Sequence, residues 1–121
     1  MATGVQIVFD CADPNKLATF WAGALHYKKQ EPPSAIVDPD GTGPRIFFQY
    51  VPESKTVKNR VHLDLNIGGG FGAPQGERRR RIDAEVDRIL QLGAGRGRTV
   101  EERGGYFVNM LDPEGNEFDV H

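Results

Sequence analysis

The sequence predicts an α+β fold made of two successive modules, each with one strand, one helix and three further strands. Three observations predict it: two amphipathic helical stretches, short runs of alternating polarity around them, and the same order of elements in both halves. Strands alternate apolar and polar side chains at every second residue, whereas helices repeat them three or four positions apart. The shared order indicates a duplicated unit.

The first module, residues 1–52, is predicted to begin with a strand at residues 5–9. Asp13 and Pro14 then open a helix, because Asp is a favoured N-cap residue and Pro fits the first helical position. Apolar side chains follow on one helical face, which we expect to be core: Leu17, Phe20, Trp21, Ala24 and Leu25. The helix is predicted to end near His26, before strands at residues 27–30, 35–37 and 45–51.

The second module, residues 59–121, follows a polar linker at residues 53–58, and together they predict a single domain over residues 1–121. A strand at residues 59–66 precedes a glycine-rich loop, residues 68–76, interpreted as a flexible rim. A helix is predicted over residues 77–92, with Ile82, Val86, Ile89 and Leu90 on its core face and Gly93 as a left-handed cap. Strands at residues 94–100, 106–111 and 117–121 complete the module, with turns at 104–105 and 112–116.

Composition narrows the class of protein. Hydrophobic residues make up 38% and charged residues 26% of the 121 residues, as in globular proteins. A net charge of -2 argues against nucleic-acid binding by the whole domain. The single cysteine, Cys11, cannot form an internal disulfide, and neither a signal peptide nor an apolar run of membrane-spanning length is visible. We therefore expect a cytoplasmic protein with neither a nucleic-acid nor a membrane partner.

The strand at residues 59–66 has an unusual polar face. Val61, Leu63 and Leu65 alternate with His62 and Asp64, so an imidazole and a carboxylate two residues apart project to the same side. This pattern favours a strand whose polar side chains line the bottom of a polar cavity. The alternative is that both side chains face water on an open antiparallel sheet.

Four motifs carry a family resemblance: Asp-Pro-x-x-Leu-x-x-Phe-Trp at residues 13–21, His-Leu-Asp-Leu at 62–65, Leu-Gly-Ala at 92–94 and Asp-Pro-Glu-Gly-Asn-Glu-Phe at 112–118. With them, nearly the whole chain resembles the glyoxalase-like branch of the vicinal oxygen chelate (glyoxalase/bleomycin resistance/dioxygenase) superfamily. The resemblance implies two βαβββ modules whose mixed sheet curls into a cup, with one helix per module on the convex face. The superfamily contains both enzymes and metal-free binding proteins, so fold alone does not fix the activity.

The resemblance also implies a set of metal ligands. Metal-using members take one ligand from the first and one from the last strand of each module. In this sequence those positions are Gln6, Gln49, His62 and Asp119, which suit a divalent metal ion that prefers oxygen and nitrogen. The alternative is a polar cup without metal, because this set contains one carboxylate only.

Two hypotheses of function follow from the resemblance. The first is an enzyme of lyase, isomerase or dioxygenase type, assisted by the metal, in which Asp64 or Asp119 is the catalytic base. The second is a metal-free protein of bleomycin-resistance type that sequesters a small molecule. Residues expected to contact the ligand are Phe47, Gln49, His62, Tyr106 and Glu117. A homodimer is expected in either case, since curled sheets leave edges that pair across subunits.

Two local features are noteworthy. His26 stands where the family usually ends its first helix with Gly, so we expect a positive φ at a residue that carries a Cβ.

Residues 78–81 are four consecutive arginines at the start of the second helix, where the helix dipole disfavours cations. They are interpreted as a solvated helix face, with contact to an anionic ligand or partner as the alternative.

Overall fold

A computed structural model describes residues 1–68, 72–102 and 105–121. The chain divides into two compact units, Met1–Lys55 and Thr56–His121, and each contains one helix and one four-stranded sheet. The predicted α+β fold of two βαβββ modules with mixed sheets is confirmed. Within the described ranges, neither helix has the length and apolar character needed to cross a membrane.

The first unit contains five elements: β1 (Ile7–Cys11), α1 (Pro14–Leu25), β2 (Lys28–Gln30), β3 (Ala35–Val37) and β4 (Ile46–Tyr50). Its sheet has the order β1-β4-β3-β2, with β1 parallel to β4 and the other pairs antiparallel. Ile7 and Phe9 are partly buried while Val8 and Asp10 are exposed, as the alternation of β1 predicts.

The helix α1 begins and ends as predicted. The Asp13 carboxylate accepts a hydrogen bond of 3.1 Å from the Lys16 backbone N–H, and His26 ends the helix with φ of 57°. The buried face consists of Leu17, Ala18, Phe20, Trp21 and Ala24. Leu25, predicted to be core, is half-buried because a turn of about 100° per residue puts it at the edge of the apolar stripe.

The second unit contains five more: β5 (Leu63–Leu65), α2 (Gln75–Gln91), β6 (Gly95–Glu102), β7 (Gly105–Leu111) and β8 (Glu117–Val120). Its sheet order, β5-β8-β7-β6, with β5 parallel to β8, repeats the topology of the first unit. The predicted strand at 59–66 is therefore shorter than expected, since only three residues pair with β8.

The helix α2 starts two residues before the predicted position, directly after Pro74. Ile82, Val86 and Ile89 are buried, and Leu90 is half-buried at the margin of this face. Gly93 follows the helix with φ of 114°, in the half of backbone space that favours glycine. The middle of the predicted rim, residues 69–71, and residue 104 of the predicted turn lie outside the described residues.

A tight turn at residues 112–116 sets the register of β7 against β8. The Asp112 carboxylate accepts hydrogen bonds from the backbone N–H groups of Glu114 and Asn116, at 2.9 and 3.0 Å. Gly115, with φ of 83°, allows the reversal. The resulting register places Asn109 opposite Asp119.

Candidate functional site

Three adjacent strands bring polar side chains to one face of the second sheet. β8 lies between β5 and β7, and its residue Asp119 is paired with Asp64 on one side and Asn109 on the other. His62 precedes Asp64 by two residues, and His121 follows Asp119 by two. Because side chains alternate along a strand, these positions share one face.

Two imidazoles and two carboxylates meet on this face. His62 Nε2 lies 3.1 Å from Asp64 Oδ1 and 3.2 Å from Asp119 Oδ2. His121 Nε2 lies 3.5 and 3.8 Å from the same two oxygens. The Asp119 side chain is 11% exposed, against 45% for Asp64, so the cluster is anchored at β8 and open to solvent at β5.

Neighbouring side chains hold the cluster in place. Asn109 Nδ2 donates a hydrogen bond of 2.6 Å to Asp119 Oδ1, which leaves Oδ2 for the imidazoles. The Phe107 ring stacks on His121, with centroids 4.5 Å apart and planes 7° from parallel. Gly97 lets β6 approach closely, since a Cβ there would lie 3.0 Å from the Asn109 carbonyl oxygen.

A cavity of about 520 Å³ opens beside the cluster, within the second unit. This volume is in the range of small-molecule sites, roughly 300–1,000 Å³. Its polar lining consists of Lys58, His62, Arg98, Glu102, Asn109, Glu117 and Asp119, with apolar surface from Val100, Phe107 and Leu111 among others. Glu117 is held at the wall by a hydrogen bond of 2.9 Å from the Asn59 backbone N–H to its Oε2.

The donor atoms of the cluster suit a divalent cation. One ligand atom each from His62, Asp64 and Asp119 lies within 4.8 Å of the other two. Imidazole nitrogen and carboxylate oxygen are the ligands preferred by zinc and similar borderline ions, at about 2.0–2.2 Å. Two carboxylates also neutralise a dication, which the expected set of Gln6, Gln49, His62 and Asp119 does not.

The remaining expected ligands belong to the first unit. Gln6 lies just before β1 and accepts a hydrogen bond of 2.5 Å from Arg45 Nη1. The Gln49 side chain is exposed on β4 and donates to the Tyr50 carbonyl at 3.2 Å. The Phe47 ring lies 5.9 Å from the Arg45 guanidinium carbon. The roles of Gln6, Gln49 and Phe47 as metal or small-molecule ligands stay predictions.

Tyr106 lies on the other face of the second sheet, away from the cavity. It is buried, and its hydroxyl donates a hydrogen bond to Asp83 of α2. Burial raises the pKa of Tyr106 above its usual value of 10.0, and the hydrogen bond to Asp83 raises it further. Because side chains alternate along β7, it is the next residue, Phe107, that lines the cavity.

The arginines at the start of α2 include two in ion pairs. Arg79 pairs with Glu101 and also covers the Tyr106 ring, its guanidinium carbon 4.4 Å from the centroid. Arg81 pairs with Glu77 one helical turn earlier. These contacts agree with the interpretation of residues 79 and 81 as part of a solvated helix face.

Sequence reasoning overlooked two members of the cluster, His121 and Asn109. His121 carried a usable signal, because Asp119-Val120-His121 repeats in reverse order the spacing of His62-Leu63-Asp64. Asn109 carried none, since its place beside Asp119 depends on the register of β7 against β8.

Comparison with known proteins identifies the family to which the domain is similar. A family model described as a glyoxalase-like domain matches residues 6–121. No curated protein sequence matches the chain.

Solved structures with the same fold share little sequence. The fosfomycin resistance protein FosX from Mesorhizobium loti is 14% identical, with a TM-score of 0.71 over 100% of this chain and 92% of that one. A mutant FosX from Listeria monocytogenes, in complex with Mn(II) and 1S,2S-dihydroxypropylphosphonic acid, is 16% identical, with a TM-score of 0.70 over 100% and 90%. A glyoxalase/bleomycin resistance protein/dioxygenase family enzyme from Burkholderia phytofirmans PsJN is 15% identical, with a TM-score of 0.70 over 95% and 94%.

Proposed function

Because the chain belongs to the glyoxalase-like domain family, we propose that it binds a small molecule in the cavity of its second unit and acts on it by metal-assisted chemistry of the lyase or isomerase type. The observation that carries the proposal is the cluster of His62, Asp64 and Asp119, of which His62 and Asp119 line the cavity. The similar fold of a FosX structure in complex with Mn(II) and a dihydroxypropylphosphonic acid supports the part of the proposal that concerns binding of a divalent ion and a small molecule.

His62, Asp64 and Asp119 are the residues that would hold the cation. A divalent ion bound by them would supply Lewis-acid polarisation of a substrate oxygen. Asp64 and Asp119 are the candidate general bases, since Asp119 lines the cavity and Asp64 is the more exposed carboxylate. In Asp64, Oδ1 faces both imidazoles, so Oδ2 is the atom proposed to take a proton from the substrate.

The rest of the cavity wall would orient the substrate. Lys58 and Arg98 offer cationic groups, and Phe107 offers an aromatic surface. Glu117 is restrained by Asn59 and can accept a hydrogen bond from a substrate hydroxyl. A compact molecule with neighbouring oxygen atoms suits this lining, because the cationic groups of Lys58 and Arg98 can attract such oxygens.

The second candidate function is metal-free binding of a small molecule. It is favoured by the contacts of His62 Nε2 with Asp64 Oδ1 and Asp119 Oδ2, at 3.1 and 3.2 Å, and by the hydrogen bond from Asn109 to Asp119, which give both carboxylates partners within the protein. In this alternative the same cavity sequesters its ligand unchanged, and Asp64 and Asp119 orient the ligand.

A ligand screen followed by turnover assays tests both candidates. Amide resonances of Arg98, Phe107 and Asn109 should shift when compounds with neighbouring oxygens, fosfomycin among them, are added with and without MnCl2. Product formation that requires the metal and is lost in Asp64→Asn supports the enzyme. Shifts without turnover support the binding protein. If a chemically diverse library at millimolar concentration shifts none of the three amides, the cavity is not a ligand site.

A further inference from the structure

We propose that Arg98 gives the cavity of the second unit a preference for small molecules that carry an oxyanion, either a carboxylate or a phosphoryl group. The inference rests on the proposed function in that it concerns the same cavity. It goes further because it names the chemical class of the ligand and assigns the selection to one side chain. It requires neither a metal ion nor turnover.

Arg98 lies at a β-bulge in β6, the edge strand of the second sheet. The register of β6 against β7 shifts between Arg96 and Thr99, so Gly97 and Arg98 both stand opposite Asn109. A Cβ at Gly97 would lie 3.0 Å from the Asn109 carbonyl oxygen, so glycine permits this close approach. Bulges are frequent beside binding sites, because they change the direction of the side chains that they carry.

The bulge separates the two arginines of β6. Arg98 lines the cavity, whereas Arg96, which is not among the described residues of the wall, donates a hydrogen bond of 3.0 Å to Thr99 Oγ1. The extra residue of a bulge shifts the alternation of the strand, so that positions before and after it exchange faces. The cavity therefore receives one of the two guanidinium groups.

The guanidinium group of Arg98 is available to a ligand. Arg98 is exposed, and within the described ranges no carboxylate forms an ion pair with it. Two arginines of α2 differ in this respect, since Arg79 pairs with Glu101 and Arg81 with Glu77. A guanidinium group presents its N–H donors as a planar fork that matches two oxygens of a carboxylate or phosphoryl group.

The carboxylates of the wall differ from its cations in having partners. Asp119, Glu117 and Glu102 line the cavity with Lys58 and Arg98. Asp119 and Glu117 each accept a hydrogen bond from another part of the second unit. Neither Lys58 nor Arg98 has such a partner in the described part of the chain, so they are the charged groups that a ligand oxyanion would satisfy.

A chemical-shift titration of the full, chelator-treated chain tests the inference with three related probes, namely glycolate, phosphoglycolate and the neutral glycolamide. The reporters are the amide resonances of Val100, Phe107 and Asn109. We expect the better anion to bind about tenfold more tightly than glycolamide, because a hydrogen bond to a charged group is the stronger one. Which anion binds better tells a carboxylate from a phosphoryl site.

Variants assign the preference to Arg98. In Arg98→Gln the Kd of the better anion should rise about three- to tenfold, since an exposed charge is partly screened, while that of glycolamide stays unchanged. Arg98→Lys keeps the charge without the fork and should recover part of the affinity. Arg80→Gln, at an exposed position of α2, makes the same change in net charge and should bind as wild type does.

Four results would overturn the inference. They are unchanged anion affinity in Arg98→Gln, an equal loss in Arg80→Gln, glycolamide binding as tightly as both anions, and no response of the reporters to any probe at millimolar concentration. Circular dichroism checks that each variant folds, and Arg98→Lys gives a second reading if Arg98→Gln does not.

These outcomes separate the inference from the proposed function. Anion binding that depends on Arg98, without turnover of any compound, leaves the oxyanion preference standing and removes the enzyme. Metal-dependent turnover of neutral compounds, with anion affinity unchanged in Arg98→Gln, removes only the role of Arg98.

Discussion

His26 shows how one backbone angle limits the stability of the first unit. It ends α1 with φ of 57° and ψ of 37°, a left-handed conformation in which a Cβ is crowded. We expect His26→Gly to raise the free energy of unfolding by about 0.5–1 kcal/mol, since glycine adopts this conformation without that cost. Urea unfolding measures the change. His26→Ala keeps the Cβ, and a gain as large in that variant would contradict the explanation.

Tyr106 should make the free energy of unfolding decrease as the pH becomes alkaline. Its pKa is raised in the folded protein, first by burial and then by the hydrogen bond to Asp83. The stability that this bond contributes is therefore complete below about pH 10, the unfolded value, and is lost as the pH rises through the folded pKa. Denaturant unfolding at several pH values above 9 should show a shallower decline in Tyr106→Phe than in wild type.

Two controls make the Tyr106 measurement interpretable. Asp83→Asn removes the charge of the acceptor and should also make the decline shallower. Burial also raises the pKa of Tyr27, so Tyr27 contributes to the decline in every variant. The variants are therefore compared by the slope of the free energy of unfolding against pH. Equal slopes in wild type and Tyr106→Phe would mean that the pKa of Tyr106 is not raised in the folded protein.

At the scale of elements, α1 is the main hydrophobic element of the first unit. Trp21 is 1% exposed, and its ring lies 5.3 Å from both Phe9 and Phe20, measured between centroids. Trp21→Ala should lower the free energy of unfolding by about 3–5 kcal/mol, because it removes a large buried ring and leaves a cavity. Lys16→Ala, on the exposed side of α1, should change it by less than about 0.5 kcal/mol. A loss below about 1 kcal/mol for Trp21→Ala would contradict this packing.

The helices and turns could be predicted because their signals are local. Asp13, Pro14 and the apolar spacing up to Ala24 define α1 within the span of the helix itself. The site could be predicted only in part, because its geometry depends on strand pairing between distant segments. His62 and Asp64 were visible as a polar face, whereas the contacts of Asp119 with Asn109 and His121 required the β5–β8–β7 registers.

At the scale of the molecule, the two units share one strand topology but carry different polar side chains at corresponding positions. Both sheets have a parallel pair between their first and last strands, β1–β4 and β5–β8. In the first unit this pair carries Gln49 opposite Asp10, and in the second it carries Asp64 opposite Asp119. The two copies of the module therefore keep one topology, while this strand pair carries two carboxylates in the second unit and one in the first.

Sheet edges and exposed apolar side chains bear on the assembly of the protein. Each sheet has edge strands, and large apolar side chains are exposed in both units: Val8, Tyr50, Val57 and Val61. Exposed apolar groups beside sheet edges favour association, so we predict a homodimer. Light scattering at micromolar concentration should give about twice the chain mass of 13.4 kDa. Val8→Lys places a charge on the edge strand β1 and should shift the mass toward one chain, whereas Asp87→Lys on the exposed side of α2 should not. A wild-type mass near 13.4 kDa would rule out a stable dimer.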